Sequence, residues 1–403
     1  MARFPTYAPE FRVEIDGEAI PAALRGCVTR ISYTDGIEGA DRVELTIANQ
    51  DLRWLDHPLL QVDKGFTLSL GYAPDPLDKV FYGEITGVSA SFPSSGMPTL
   101  TVVAHDFLER LTTGTKSREF MLNIPTVGQF PLPDPVVVSG VAGGNLLVPK
   151  PDLLGAALSF LILLATYAIS PTTARQGVQE QIKESDFDFL SRVASDNGWY
   201  MFIDHTDAPH GRVLRFMFPL SELEPSVQLT WGTSLLDFTP RLTTVGQVLE
   251  VETRIWISAI KMEFIVVLGW DYDHAAFSLQ IYPGLDQLVD QDNPRRPRDV
   301  LTTSGPALAP KQLLGHLLPS LNNRLTGTGN AVGNLAIRAG RVIDLEGLGQ
   351  QFSGSYRITS AAHTIDGGGF RTSFETRKEI WFGGIPTPKG IGGLVRINGQ
   401  RVG

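Results

Sequence analysis

Cysteine is almost absent from this 403-residue chain. Cys27 stands alone, so no internal disulfide can form, and the fold must hold without covalent staples, as in a protein made in a reducing cytoplasm. The N-terminus, Met1-Ala2-Arg3-Phe4-Pro5, lacks the apolar h-region of a signal peptide, so export from the cell would need another route. Net positive charge is lacking too: 34 Lys and Arg face 43 Asp and Glu, a formal charge of −9. That balance argues against phosphate-driven nucleic-acid binding, although Pro294-Arg295-Arg296-Pro297-Arg298 is a local basic patch. No Gly-x-Ser-x-Gly elbow occurs. Paired acids for glycoside hydrolysis carry no signal, because 43 acidic residues always offer some suitable pair.

What is abundant is turn chemistry. The 41 glycines and 27 prolines, with 42% hydrophobic residues, fit a turn-rich and mostly β protein, and the length implies two or three domains. Phe11 to Ile15 alternates apolar and polar residues, and Val43, Leu45 and Ile47 share one face of a second strand. Short strands with turns between them continue to about residue 105, which suits a small barrel or sandwich.

One three-strand unit is written twice. The first copy runs Lys64-Gly65-Phe66 to Leu70, Phe81-Tyr82-Gly83 to Val88, and Thr99 to Val103. The second runs Ala339-Gly340-Arg341 to Leu345, Phe352-Ser353-Gly354 to Ser360, and Arg371 to Glu375. Between the copies, residues 114–151 carry Pro125, Pro131, Pro133, Pro135, Pro149 and Pro151 with several glycines, which argues against a continuous element and for an ordered extended loop or an arm reaching a neighbouring subunit. Leu153 to Ile169 follows without a charge. Its Ser159, Thr166 and Tyr167, and the missing basic flank, favour a buried or subunit-facing helix over a membrane span.

Glu184 to Tyr200 is the sharpest local pattern. Ser185 is a good N-cap, and Asp186 and Asp188 favour the helix N-terminus. Phe189 and Val193, with Leu190 and Ala194, form an apolar stripe, and Gly198 is placed to end the helix. A hairpin follows, Trp199 to Ile203 and Val213 to Phe218. Leu249, Val251, Thr253, Ile255 and Ile257 share one strand face, and a short helix from about Lys311 should end before Pro319.

Candidate chemistry is weak throughout. Asp204, His205, Asp207 and His210 cluster on the hairpin turn and could suggest a metal, but turns favour Asp for backbone reasons. Asp271, Asp273 and His274 read as an acidic loop after a strand. Gly327-Thr328-Gly329-Asn330-Ala331-Val332-Gly333 has the wrong spacing for a dinucleotide loop. Cys27 sits in a strand-like run where a buried, inert thiol is expected. No catalytic, cofactor-binding or metal-ligating residue is therefore assigned.

The segment Glu184-Ser185-Asp186-Phe187-Asp188-Phe189-Leu190-Ser191-Arg192-Val193-Ala194, with its glycine and aromatic hairpin, resembles the central signature of baseplate hub proteins. These include the late-control D family of contractile phage tails and the N-terminal hub of VgrG spike proteins. Gly232 to Leu242 and Arg338 to Thr359 fit the same family. The resemblance spans roughly residues 10–380 and is strongest from 184 onward. It implies a mainly β fold with a small α+β part, in which two similar β-barrel-like domains flank a helix-plus-hairpin insert. The expected divisions are 1–112 for the first barrel, 113–228 for the insert, 229–380 for the second barrel and 381–403 for a Gly/Pro-rich docking tail.

The implied role is a structural hub of a phage tail or contractile injection system, assembled in the bacterial cytoplasm. As a homotrimer it would adapt a hexameric tail tube protein to a trimeric spike protein, beside other baseplate proteins. No enzyme activity, cofactor, specific nucleic-acid binding or stable membrane anchor is expected. The competing readings are a tail-tip peptidoglycan hydrolase and a membrane-anchored export component using residues 153–169.

Overall fold

The computed structural model describes residues 8–124, 128–169, 178–243, 250–257, 261–271, 276–283, 298–301, 309–382, 396–397 and 400–401. The protein is mainly β with a small helical part. Alternating apolar residues in the first hundred positions form seven strands: β1 (Ala8–Ile15), β2 (Glu18–Ala19), β3 (Val28–Gly36), β4 (Arg42–Ala48), β5 (Gly65–Ala73), β6 (Asp78–Ser91) and β7 (Thr99–His105). Their inward residues, among them Val13, Ile31, Leu45, Phe66, Leu68, Phe81 and Val102, make one core.

The middle of the chain supplies β8 (Lys116–Ile124), β9 (Gly128–Pro131), β10 (Val148–Pro151), β11 (Gln179–Glu184), β12 (Tyr200–Asp204) and β13 (Val213–Met217). Here the extended-arm expectation is corrected. Residues 116–124 and 128–131 pair as strands, and Asp134–Gly144 is a helix. The prolines bound that helix instead of preventing it: Pro133 is its N-cap and Pro135 sits at its start, where a missing N–H costs nothing. Val137, Val138, Val141 and Ala142 then bury against Phe189, Leu190 and Val193 of the helix Asp186–Asp196. That second helix begins as its residues dictate, with the Ser185 hydroxyl accepting from the Asp188 amide at 3.0 Å.

The last third forms β14 (Pro225–Thr230), β15 (Leu235–Leu242), β16 (Glu250–Ile257), β17 (Met262–Asp271), β18 (Ala276–Pro283), β19 (Arg298–Leu301), β20 (Leu325–Val332), β21 (Val342–Glu346), β22 (Gly354–Asp366), β23 (Gly369–Arg377), β24 (Arg396–Ile397) and β25 (Gln400–Arg401). β16 to β19 do not join the second barrel-like unit. With β24 and β25 they build their own six-stranded sheet. Leu249, Asp273, His274, residues 294–297 and most of the tail from 383 lie outside the described residues.

The duplication is deeper than three strands. The first unit has the order β3-β4-β7-β6-β5-β1, and the second has β15-β20-β23-β22-β21-β14, the same six strands in the same chain order. Bulges recur in step: between Val28 and Arg30 and between Leu235 and Asp237, and again between Ile85 and Gly87 and between Ile358 and Ser360. The outermost pair differs, since β1 runs antiparallel to β5 whereas β14 runs parallel to β21.

Register corrects part of the sequence alignment. Thr99 to Val103 does match Arg371 to Glu375, each facing equivalent residues of β6 and β22. The two preceding strands are shifted by two residues: Gly65 and Glu84 pair in the first unit as Val342 and Arg357 pair in the second. Glycines drew the false match, and a slip of two keeps every side chain on its face, so polarity gave no warning.

One further expectation changes. The helix Ala309–Asn322 continues through Pro319. The carbonyl that a proline ring crowds, four residues back, belongs to Gly315, and Leu313, Leu317, Leu318 and Leu321 bury around it. Gly327 to Gly333, whose spacing does not suit a dinucleotide loop, is the strand β20 and its end. A Cβ at Gly327, Gly329 or Gly333 would lie within 2.6 Å of the ring of Phe238, Phe374 or Phe370 respectively, so these glycines make room for three aromatic rings.

Candidate assembly site at the seam between the barrels

The two units form one continuous 13-stranded sheet because β22 of the second pairs with β3 of the first. The ladder runs antiparallel from Ser360 opposite Gly36 to Ile365 opposite Ile31, and the Ile37 amide donates to the Thr359 carbonyl at 3.0 Å. Ala361, His363 and Ile365 face Asp35, Tyr33 and Ile31 on the inner side, where the His363 ring stacks on Tyr33 at 5.8 Å. Phe370 and Ile365 of the second unit pack into the core of the first.

The insert's hairpin closes over this seam. His205, at the end of β12, is buried and bridges to acids that sequence reading did not single out. Its Nδ1 accepts from the Tyr82 amide at 3.3 Å, so the ring proton resides on Nε2, which donates to Asp41 Oδ2 at 3.1 Å. Asp41 also accepts from the Tyr33 hydroxyl and the Gly36 amide, both at 3.2 Å. Asp106 accepts from the Asp41 and Leu108 amides at 3.0 and 2.8 Å.

Burial dominates the electrostatics of this cluster. It pushes the Asp35 carboxyl up to about 7, with the Asp41 charge adding to the effect, and the Asp41 carboxyl up to about 7 as well. Burial and the neighbouring Asp41 take Asp106 up to about 8, and burial takes His205 down to about 4. His205 is therefore a neutral donor. The Arg338 guanidinium, over the Tyr33 ring at 5.9 Å, partly offsets the raised carboxylates.

Asp41, Asp106 and His205 could each offer a ligand atom within 4.8 Å of the others. Both His205 nitrogens and all four carboxylate oxygens are engaged by amides, a hydroxyl or each other. The arrangement is a buried polar lock joining three parts of the chain. The four hairpin-turn residues do not converge. Asp204 holds the Thr206 and Asp207 amides and pairs with Arg215, Asp207 pairs with Lys150, and the His210 ring stacks on Tyr82. Cys27 is half-buried rather than buried, beside Arg53.

No family model matches the chain, and no curated protein matches it by sequence. Solved structures do match. A tail protein from Neisseria meningitidis superposes with a TM-score of 0.60 at 12% identity, covering 93% of this chain and 98% of the other. The 43 kDa tail protein of prophage MuSo2 from Shewanella oneidensis gives 0.59 at 11% identity over 92% and 98%. An E. coli component of the type VI secretion system, described as structurally similar to T4 bacteriophage tail proteins, gives 0.52 at 13% identity over 95% and 78%. The chain thus has the fold of these tail and secretion-system proteins, the fold that its resemblance to baseplate hubs implies.

Proposed function

We propose that this protein is a non-catalytic hub subunit of a phage tail or contractile injection system. In this reading it trimerises into a pseudo-six-fold ring and adapts a hexameric tube to a trimeric spike. The observation that carries it is the repeated six-strand order, two barrel-like units in one chain with bulges in the same places. Three such chains present six similar faces, which is what a six-fold partner needs, while each chain remains one copy of a three-fold object. Full-length likeness in fold to tail proteins supports the same role. The seam chemistry fits it as well, because burying His205 against Asp41 ties the insert's hairpin to the first unit instead of exposing a nucleophile or base.

The helix Leu153–Ile169 is part of the insert, and no described helix is long and apolar enough to cross a membrane. Leu153, Leu154, Phe160, Leu161 and Leu164 are exposed on it, which suits a contact with another baseplate chain. Electron microscopy of the purified protein or its parent particle tests the proposal. The expected image is a ring of three copies around an axial channel. A monodisperse monomer, or peptidoglycan clearing on zymograms that one Asp or Glu substitution abolishes, would overturn it.

A further inference from the structure

Between the first unit, the insert's hairpin and the start of β21 lies a cleft of about 520 Å³, a volume within the range of small-molecule sites. Asp35 of β3, Phe202 to Asp207 of β12 and its turn, Arg215 of β13 and Arg338 to Val342 line it. Most of the charges on its wall already answer one another. Arg215 pairs with Asp204 and Glu222, and Lys150 pairs with Asp207. Glu224 and Arg341 add one charge of each sign.

Asp35 is the exception. It is only 6% exposed, its Oδ2 accepts from the Ala339 amide at 3.3 Å, and its Oδ1 has no partner. Arg338 acts on it through space but spends donors elsewhere, Nε on the Leu335 carbonyl at 3.3 Å and Nη2 on that of Val80 at 3.5 Å. Arg215 Nε, on the same wall, is likewise buried without a partner. Buried polar atoms are rarely left idle, because stranding them costs their full desolvation. Two on one cleft, an acceptor and a donor, point to a molecule that arrives from outside.

We infer that this cleft binds a small amine, whose ammonium donates to Asp35 Oδ1 and whose hydroxyl or carbonyl oxygen accepts from Arg215 Nε. The site is independent of the assembly reading. Each half of the ligand follows from what is already occupied. With Oδ2 held by the Ala339 amide, the carboxylate cannot take the two-pronged fork of a guanidinium, so a single-point donor fits. The neighbouring Asp41 charge adds to the negative potential at Asp35, which favours a cationic donor over a neutral one. The charge of Arg215 is already met by two carboxylates, so its spare N–H calls for a neutral oxygen and not for an anion.

The same chemistry is offered by a free amino alcohol and by the N-terminus of a peptide. Ethanolamine and alaninamide stand for the two sources. Melting of the full-length protein at pH 7.5 tests the site. There Asp35, raised to about 7, is largely ionised, and both amines are mostly protonated.

At saturation at least one of the two should raise the melting temperature by about 2 °C or more. It should also slow amide exchange in residues 202–207 and 338–342, and the amine with the larger effect identifies the source. N-acetylalaninamide, which lacks the ammonium, and tetramethylammonium, which has the charge without an N–H, should do neither. Asp35→Asn keeps an acceptor for the Ala339 amide, so it should fold and yet lose the response. No response to either amine overturns the proposal. So does an equal response in Asp35→Asn, or an equal effect of tetramethylammonium or calcium chloride on the unaltered protein.

Discussion

Arg357 and Glu379 form an ion pair with neither side chain exposed to solvent. Arg357 Nε and Nη2 lie 3.2 and 3.1 Å from Glu379 Oε2, and the remaining donors reach the carbonyls of Pro219, Ser221, Glu222 and Gly340. Glu379 also accepts from the Tyr200 hydroxyl at 2.8 Å and the Trp381 indole at 3.0 Å. One guanidinium thus ties the end of the insert to the second barrel. Its counterpart by register in the first unit is Glu84, which pairs with Arg110 at the surface.

Arg357→Met should cost about 3–5 kcal/mol, because it strands a buried carboxylate and several carbonyls. Arg357→Lys should recover little of this, since an ammonium cannot reach acceptors spread around a planar fork. Urea unfolding measures both. A loss below about 1 kcal/mol for either variant would mean that water readily replaces the guanidinium.

Local signals were legible and distant ones were not. Ser185, Asp186, Phe189 and Val193 announce a capped amphipathic helix because its cap and its periodicity lie within one short segment. Ser185→Ala should accordingly cost about 1 kcal/mol in thermal or chemical melts. The strand repeat was legible through Thr99 to Val103, whose alternation survives in Arg371 to Glu375. By contrast, His205 was visible as a candidate, yet its partners Asp41 and Asp106 lie 164 and 99 positions away and carry no local mark. The separate sheet of β16 to β19 was hidden for the same reason: alternation shows a strand, not the sheet it joins.

The seam should make stability fall as pH rises from about 4 to 8. Asp35, Asp41 and Asp106 are raised from 3.8 to about 7, 7 and 8, so the folded chain holds protons in that window that the unfolded chain has released. His205 acts oppositely, but only between about 4 and its ordinary 6.5, where the unfolded chain is the one that binds the proton. Asp35→Asn keeps an acceptor for the Ala339 amide and removes a charge whose Oδ1 has no partner. It should add about 1–2 kcal/mol at pH 8 and flatten the profile. Melting temperatures across pH 6 to 9 decide this. An unchanged slope in the variant would show that Asp35 is not the titrating group.

Two helix glycines should respond in opposite directions to the same methyl group. At Gly315 a Cβ would lie 2.3 Å from the Ser195 carbonyl oxygen and 2.7 Å from that of Asp196, so the helix Ala309–Asn322 approaches the end of the helix Asp186–Asp196 through bare backbone. Gly315→Ala must push the two helices apart and disturb Leu318, which packs in the insert's core, at a cost of about 1–3 kcal/mol. At Gly140, inside the helix Asp134–Gly144, a Cβ meets nothing within 4 Å. Gly140→Ala therefore gains helix propensity without a clash and should stabilise by about 0.5–1 kcal/mol. Hydrogen exchange separates the two cases, with faster exchange of both helices in Gly315→Ala and slower exchange of residues 134–144 in Gly140→Ala. If Gly315→Ala left exchange in residues 186–196 unchanged, the close approach would not be what holds the second barrel's inserted helix against the signature helix.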